Sequence, residues 1–131
     1  MRGLRRCALA ICLVVLIEIA WAVTVLADDP YRTGYVSLTA PGDPPVPVSV
    51  WYPTEAPAAS FAAGPYTIAA TPSAPPAPGR HRLIVISHGS SGSDLGHHDL
   101  AESLARNGMV VAAPRHLGDS FDQPRAPARS N

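Results

Sequence analysis

Lysine is absent from the 131-residue chain, and its ten basic residues, all arginines, are balanced by ten acidic ones. Without a basic stripe to displace phosphate counterions, the sequence excludes an electrostatic nucleic-acid binder. Charged residues make up only 15% of the chain, too few for a disordered tail held open by charge. The only cysteines are Cys7 and Cys12, so the rest of the chain has no disulfide to support its fold.

Residues 1–27 carry the pattern of a secretory signal peptide. Three arginines precede residues 8–26, which are apolar apart from one threonine and Glu18. Small residues place the cleavage site after Ala27 or, alternatively, after Ala22, and the pattern predicts a secreted or periplasmic protein. The alternative is a membrane anchor through residues 8–26. A carboxylate near the middle of that span costs about 2.5 to 3.5 kcal/mol, which argues against the anchor.

The mature chain, residues 28–131, begins with two segments that alternate between apolar and polar residues. Residues 35–38 and 46–52 are typical of strands, and the turn-rich break between them predicts an antiparallel pair. Pro47 marks the second of them as an edge strand. Residues 53–80 are dominated by Pro, Ala, Ser and Thr, a composition that predicts a surface loop.

The second half of the chain has the order strand, helix, strand. Residues 83–86 are an uninterrupted apolar run, typical of a strand buried on both faces of a parallel sheet. A helix is predicted over residues 95–107 and a second buried strand over 109–113. This order predicts a βαβ unit and the α/β fold class. Ligands of open α/β sheets bind beyond the carboxyl ends of the strands, so we expect functional residues in loops 88–92 and 115–121.

Three motifs in this order resemble the first third of an α/β-hydrolase domain. They are Val-Ser-Val-Trp-Tyr-Pro at 48–53, Leu-Ile-Val-Ile-Ser-His-Gly-Ser-Ser-Gly at 83–92 and Val-Val-Ala-Ala-Pro-Arg-His at 110–116. Over residues 32–123 the chain is similar to the dienelactone-hydrolase-like and platelet-activating-factor-acetylhydrolase-like branch of exported esterases. The resemblance implies a partial α/β-hydrolase sheet and a serine hydrolase acting on lipid-like or lactone carboxylic esters, without a cofactor.

The resemblance also implies an oxyanion-hole role for the loop that contains His88, Gly89 and Ser90. In α/β-hydrolases the residue after His-Gly, here Ser90, donates its backbone N–H to the negative oxygen of the tetrahedral intermediate. Glycine at position 89 suits a backbone that approaches the substrate closely. An ordinary glycine turn or an anion-binding helix N-terminus is the alternative interpretation.

A Gly-x-Ser-x-Gly nucleophile motif is missing from the sequence, and so are the acid and histidine that would follow it. Residues 89–92 do not replace it, because one residue too few separates the serine from the second glycine. Residues 124–131 are polar and proline-rich and predict a disordered end. We therefore expect the amino-terminal part of a longer serine hydrolase, inactive by itself. The alternative is a non-catalytic truncated remnant or a binding fragment.

The histidines do not predict a metal site. His97 and His98 are adjacent and point to different faces of the predicted helix, and no histidine pair has the i, i+4 spacing of a zinc helix. His116 is placed to border the pocket, and the alternative is an ordinary loop histidine with its hydrogen bonds satisfied. The expected partner is a small ester substrate in the complete protein, with membrane contact only through an uncleaved leader.

Overall fold

The computed structural model describes residues 29–123, which contain a five-stranded mixed sheet, a two-stranded sheet and one helix. The strands are β1 (Arg32–Ala40), β2 (Val46–Thr54), β3 (Phe61–Ala63), β4 (Tyr66–Ile68), β5 (Thr71–Pro72), β6 (Arg82–Val85) and β7 (Met109–Pro114), and the helix is α1 (His98–Arg106). The larger sheet has the order β5-β1-β2-β7-β6, and β3 pairs with β4. The predicted signal peptide and the predicted disordered end lie outside the described residues. Between residues 29 and 123, no helix is long and apolar enough to cross a bilayer.

The β6-α1-β7 unit is parallel, as the strand-helix-strand order predicts. Leu83 lies opposite Val110 and Val85 opposite Ala112. The helix begins at His98, later than predicted, because residues 94–97 form turns, with backbone hydrogen bonds from Gly96 to Ser93 and from His98 to Leu95. A mixed sheet with one helix is compatible with a partial α/β fold.

Strand β2 lies in the centre of the sheet, so its prediction as an edge strand is wrong. It pairs antiparallel with β1 along its whole length and antiparallel with β7 from Val48 to Trp51. Pro47 and Pro53 flank this four-residue segment. Their missing N–H groups therefore leave no gap in the ladder with β7. The carbonyl of Pro47 still accepts the backbone N–H of Arg115 at 2.9 Å.

The core lies on the sheet face that α1 covers. A row of side chains crosses this face in register, namely Tyr35, Trp51, Val111 and Ile84. Trp51 and Val111 are fully buried and pack with Ala101 and Ala105 of the helix. Small alanine side chains let the helix approach closely enough for the Trp51 indole to fill the space between the two layers.

The opposite face of the sheet is apolar and exposed at β6. Leu83 is 63% exposed and Val85 62% exposed, so the prediction of a strand buried on both faces is wrong. The next row across this face consists of Val85, Ala112, Val50 and Val36. Strand β6 is at the edge of the sheet and α1 covers only the other face, which leaves these side chains without a covering layer within residues 29–123.

Residues 53–80, predicted as a loop, contain the three short strands β3, β4 and β5. Side chains of β2 hold the segment that follows them. The Tyr52 hydroxyl donates to the carbonyl of Ala74 at 2.8 Å, and the Thr54 hydroxyl donates to the carbonyl of Pro75 at 2.6 Å. Burial raises the pKa of the Tyr52 phenol, which keeps it protonated as the donor. Composition alone does not reveal these bonds, because their acceptors are backbone carbonyls.

A buried carboxylate ties the β4–β5 connection to the helix. Glu102 accepts the backbone N–H of Ala69 at 2.9 Å and faces Nδ1 of His98 at 3.0 Å. The His98 ring also contacts the Tyr66 ring, with 5.2 Å between centroids. One side chain of α1 thus links the helix to the small β3–β4 sheet.

Replacing Glu102 with alanine should lower the free energy of unfolding by about 2 kcal/mol, because it removes a charged acceptor and leaves the Ala69 N–H unpaired. Urea denaturation followed by far-ultraviolet circular dichroism measures this loss. Glu55→Ala is the matched control, since Glu55 is exposed. Equal urea midpoints for the two variants would contradict the anchoring role of Glu102.

Candidate functional site

Two loops meet at the edge of the sheet where the parallel strands β6 and β7 end. The His-Gly loop comprises residues 87–96, and the return loop comprises residues 115–121. They are joined by a parallel bridge between Gly92 and Ser120 and by a 3.0 Å hydrogen bond from the Phe121 N–H to the Gly92 carbonyl. The structure thus brings the two predicted loops together in one place.

His88 is a buried side chain whose two ring nitrogens are both engaged. The backbone N–H of His116 donates to Nε2 at 3.0 Å, so this nitrogen carries the lone pair. Nδ1 then bears the proton and donates to the carbonyl of Gly89 at 2.8 Å. The His88 and His116 rings lie against each other at a 32° tilt, with 4.1 Å between their centroids. His88 therefore positions the loop and has no free nitrogen for proton transfer.

Residues 89–92 form a tight turn. The Gly92 N–H donates to the Gly89 carbonyl at 3.0 Å, and Ser91 has a positive φ of 57°. A Cβ at position 92 would lie 2.9 Å from the Gly89 carbonyl oxygen and 3.1 Å from the His88 side chain. Glycine is required there because any larger residue would push the turn away from His88.

Asp119 holds this turn from the return loop. One carboxylate oxygen accepts the Ser90 hydroxyl at 2.9 Å and the Ser91 backbone N–H at 3.1 Å. The hydroxyl of Ser90 is thus engaged by a negative charge. Its backbone N–H makes no hydrogen bond with any residue between 29 and 123.

A cleft of about 320 Å³ opens beside the turn. Its lining includes Ser90, Ser91, Gly96, His97, Tyr66 and Phe121. Tyr66 comes from β4, so the segment predicted as a surface loop supplies one wall. The cleft joins a polar turn on one side to aromatic rings on the other, which suits a ligand with both polar and apolar parts.

A serine–histidine pair, Ser87 and His116, lies outside the residues that line the cleft and lacks the geometry of a triad. The Ser87 hydroxyl and Nε2 of His116 are 2.9 Å apart. In the described part of the chain, no carboxylate bonds the other ring nitrogen of His116 to orient it. Ser87 also lies two residues after the end of the edge strand β6 and is not at a strand-to-helix nucleophile turn.

Other side chains of metal-ligand type are dispersed. Between residues 29 and 123, no three His, Asp, Glu or Cys side chains come together as a metal site. His97 occupies the N-cap position of α1 without capping it through its side chain, and His98 is engaged with Glu102.

Sequence reasoning placed Asp119 in a predicted loop but did not predict its contact, and it missed Ser49, Tyr35 and Trp51. Asp119 contacts the His-Gly loop across 28 residues of sequence, and its position five residues after β7 was the available signal. Ser49 donates to Asp94 at 2.6 Å, and the Tyr35 hydroxyl lies 2.9 Å from Ser49. Trp51 lies beneath the loop. These positions read as ordinary strand residues in the sequence, because only the sheet register places them under the loop.

No protein-family model matches the chain, and a search of curated proteins finds no match. Among solved structures, the chain is similar to a ferulic acid esterase from Streptomyces cinnamoneus, with 26% sequence identity and a TM-score of 0.56. The fold is hydrolase-like. The match covers 72% of this chain and 36% of the esterase chain, so the described residues correspond to about a third of that enzyme.

Replacing Asp119 with alanine should speed amide hydrogen exchange at Ser91 by about tenfold or more, because it removes a charge-assisted acceptor from that N–H. Hydrogen exchange followed by NMR measures the rate. Asp99→Ala, an exposed carboxylate on α1, is the matched control and should leave the Ser91 rate unchanged. An unchanged rate in Asp119→Ala would show that the turn holds its shape without this side chain.

Proposed function

We propose that this chain is the amino-terminal part of a carboxylic-ester hydrolase and supplies one donor of its oxyanion hole, the backbone N–H of Ser90. The observation that carries the proposal is the Ser90 backbone N–H, which has no hydrogen-bond partner among residues 29–123. It lies beside the cleft on a turn that Asp119 holds in place. Such a donor stabilises a developing oxyanion because it is held in place before the reaction and needs no reorganisation.

The surroundings of Ser90 favour its backbone over its hydroxyl as the functional group. The Ser90 hydroxyl already donates its hydrogen bond to Asp119 at 2.9 Å, whereas the backbone N–H of Ser90 has no partner among residues 29–123. Gly89 has open space where a Cβ would be, so a substrate can approach the turn closely. His88 and Gly92 act as positioning residues that set the direction of the loop.

The proposed substrates are small carboxylic esters of the lipid-like or lactone type. A cleft of about 320 Å³ with Tyr66 and Phe121 in its walls accommodates an apolar acyl or alcohol group. The similarity to a ferulic acid esterase supports ester hydrolysis and extends the candidates to esters of aromatic acids. The reaction needs no cofactor in this proposal.

The nucleophile of the proposed enzyme lies outside these 131 residues, since they contain no Gly-x-Ser-x-Gly motif. A serine, an acid and a histidine would complete the site, together with a second oxyanion donor.

We propose further that residues 1–27 direct export to the periplasm or the medium. The competing function is a binding fragment or remnant without catalysis, which the exposed apolar face at Leu83 and Val85 favours.

The 131-residue chain should not hydrolyse a chromogenic ester such as p-nitrophenyl acetate, whereas a version extended through the following reading frame should. The reason is that an oxyanion donor without a nucleophile leaves the ester carbonyl unattacked. Ser87→Ala in the short chain tests the serine–histidine pair, with Ser103→Ala on the exposed side of α1 as its control. If the short chain hydrolyses the ester and Ser87→Ala abolishes this turnover, the result would contradict a nucleophile that lies outside the 131 residues. An inactive extended version would favour the binding fragment.

In the extended enzyme, Ser90→Pro should lower kcat by about 100-fold, because proline removes the N–H donor. Ser90→Ala is the matched variant, which keeps the N–H and should retain most activity. Circular dichroism and the urea midpoint establish that both variants fold. Equal losses of kcat in the two folded variants would assign the function to the hydroxyl and overturn the backbone assignment.

A further inference from the structure

Phe121 is a large apolar side chain that is exposed in the wall of the cleft. The residue is 65% exposed and lines the cleft together with Ser90. Its backbone is fixed, because its N–H donates to the Gly92 carbonyl at 3.0 Å and the preceding Ser120 bridges to the same glycine. A phenyl ring on a fixed backbone at a concave surface offers apolar area to a ligand.

Arg115 holds the Phe121 ring from one side. Its guanidinium carbon Cζ lies over the ring, 5.7 Å from the centroid, which is a cation–π contact. Arg115 is itself restrained, because its guanidinium forms an ion pair with Asp122. The cation covers one face of the ring, and the rest of the exposed ring surface remains for the cleft. The orientation of the ring is therefore set before a ligand arrives, which lowers the entropic cost of binding.

Much of the remaining cleft surface is backbone. Gly89, Gly92 and Gly96 line the cleft, and Gly89 has open space where a Cβ would be. A wall without side chains lets a flat group approach the peptide backbone closely. Tyr66 adds a second aromatic ring to the lining. Glycine backbone and phenyl rings together favour a planar apolar group, which makes more van der Waals contacts with them than a puckered ring does.

Aromatic rings also attract one another in a way that saturated rings do not share. Their quadrupoles favour offset-stacked or edge-to-face pairs, and this preference adds to the burial of apolar area. We propose that Phe121, positioned by Arg115, is a specificity-determining residue that selects esters with an aromatic ring beside the ester group. The inference rests on the proposed function, ester hydrolysis, but the selection is made in binding and is measurable without turnover.

The test is an NMR titration of the 15N-labelled 131-residue chain with two esters that differ only in their ring. Methyl benzoate has a planar aromatic ring, and methyl cyclohexanecarboxylate has a saturated ring of the same number of atoms. The saturated ester is the more apolar of the two, so an unselective apolar cleft favours it. Methyl benzoate should shift the Phe121 amide signal with saturation and bind about fivefold more tightly than the saturated ester.

Phe121→Leu tests the ring itself. Leucine keeps an apolar side chain but removes the aromatic ring, so the preference for methyl benzoate should disappear. Leu117→Ala is the matched control, because Leu117 is an exposed apolar residue of the same loop that does not line the cleft. This control should keep the fivefold preference. Urea midpoints equal to that of the parent chain establish that both variants fold.

Two substitutions of Arg115 test its positioning role. Arg115→Met keeps an unbranched apolar stem without the charge and should reduce the preference to about twofold. Arg115→Lys restores a cation that can lie over the ring and should retain most of the preference. A preference in Arg115→Met equal to that of the parent chain would overturn the positioning role.

The proposal is overturned if neither ester gives a saturable shift, if the saturated ester binds as tightly as methyl benzoate, or if Phe121→Leu keeps the preference. A failure of the proposed function gives a different result. In that case the binding preference is present, but the version extended through the following reading frame releases methanol from neither ester. Methanol is detected in the same NMR spectra, so binding and hydrolysis are measured separately.

Discussion

The parallel pairing of β6 with β7 places the His-Gly loop and the return loop at one edge of the sheet. Ile84 lies opposite Val111 and Val85 opposite Ala112, and the Ile86 N–H extends the ladder to the carbonyl of Ala112. Because both strands run in the same direction, the His-Gly loop and the return loop leave the sheet side by side. A change of this register would separate Asp119 from Ser90 and His116 from His88.

The helix that makes the parallel connection also divides the sheet into two unlike faces. On the covered face, Trp51 and Val111 are packed against small helical side chains. On the other face, Leu83 and Val85 remain exposed. A helix on each face is the usual arrangement for strands of this composition. The apolar character of the open face therefore agrees with a chain that spans about a third of the esterase it matches.

Polar side chains connect the irregular segments in place of disulfides. Glu102 joins the β4–β5 connection to α1, Tyr52 and Thr54 hold the segment after β5, and Asp119 holds the glycine turn. A strand or helix supplies the side chain in the cases of Glu102, Tyr52 and Thr54, whereas Asp119 lies in the return loop, and in each case a loop supplies the backbone group. Loops with many prolines and glycines have few side chains that can form such bonds themselves, so their conformation is set by the regular elements beside them.

The amino-acid sequence by itself determined the strand-helix-strand order of the second half and the antiparallel character of the first two strands, because both follow from local apolar patterns. A resemblance also predicted a role for the His-Gly loop, and this role stays a prediction. Only the tertiary structure decided that β2 is central in the sheet, that β6 is covered on one face and that residues 53–80 contain strands. Periodicity describes which side chains share a face, but not what covers that face. The hydrogen bonds of Asp119 to the glycine turn and the burial of the Trp51 side chain likewise depend on contacts between residues far apart in sequence, which no local pattern encodes.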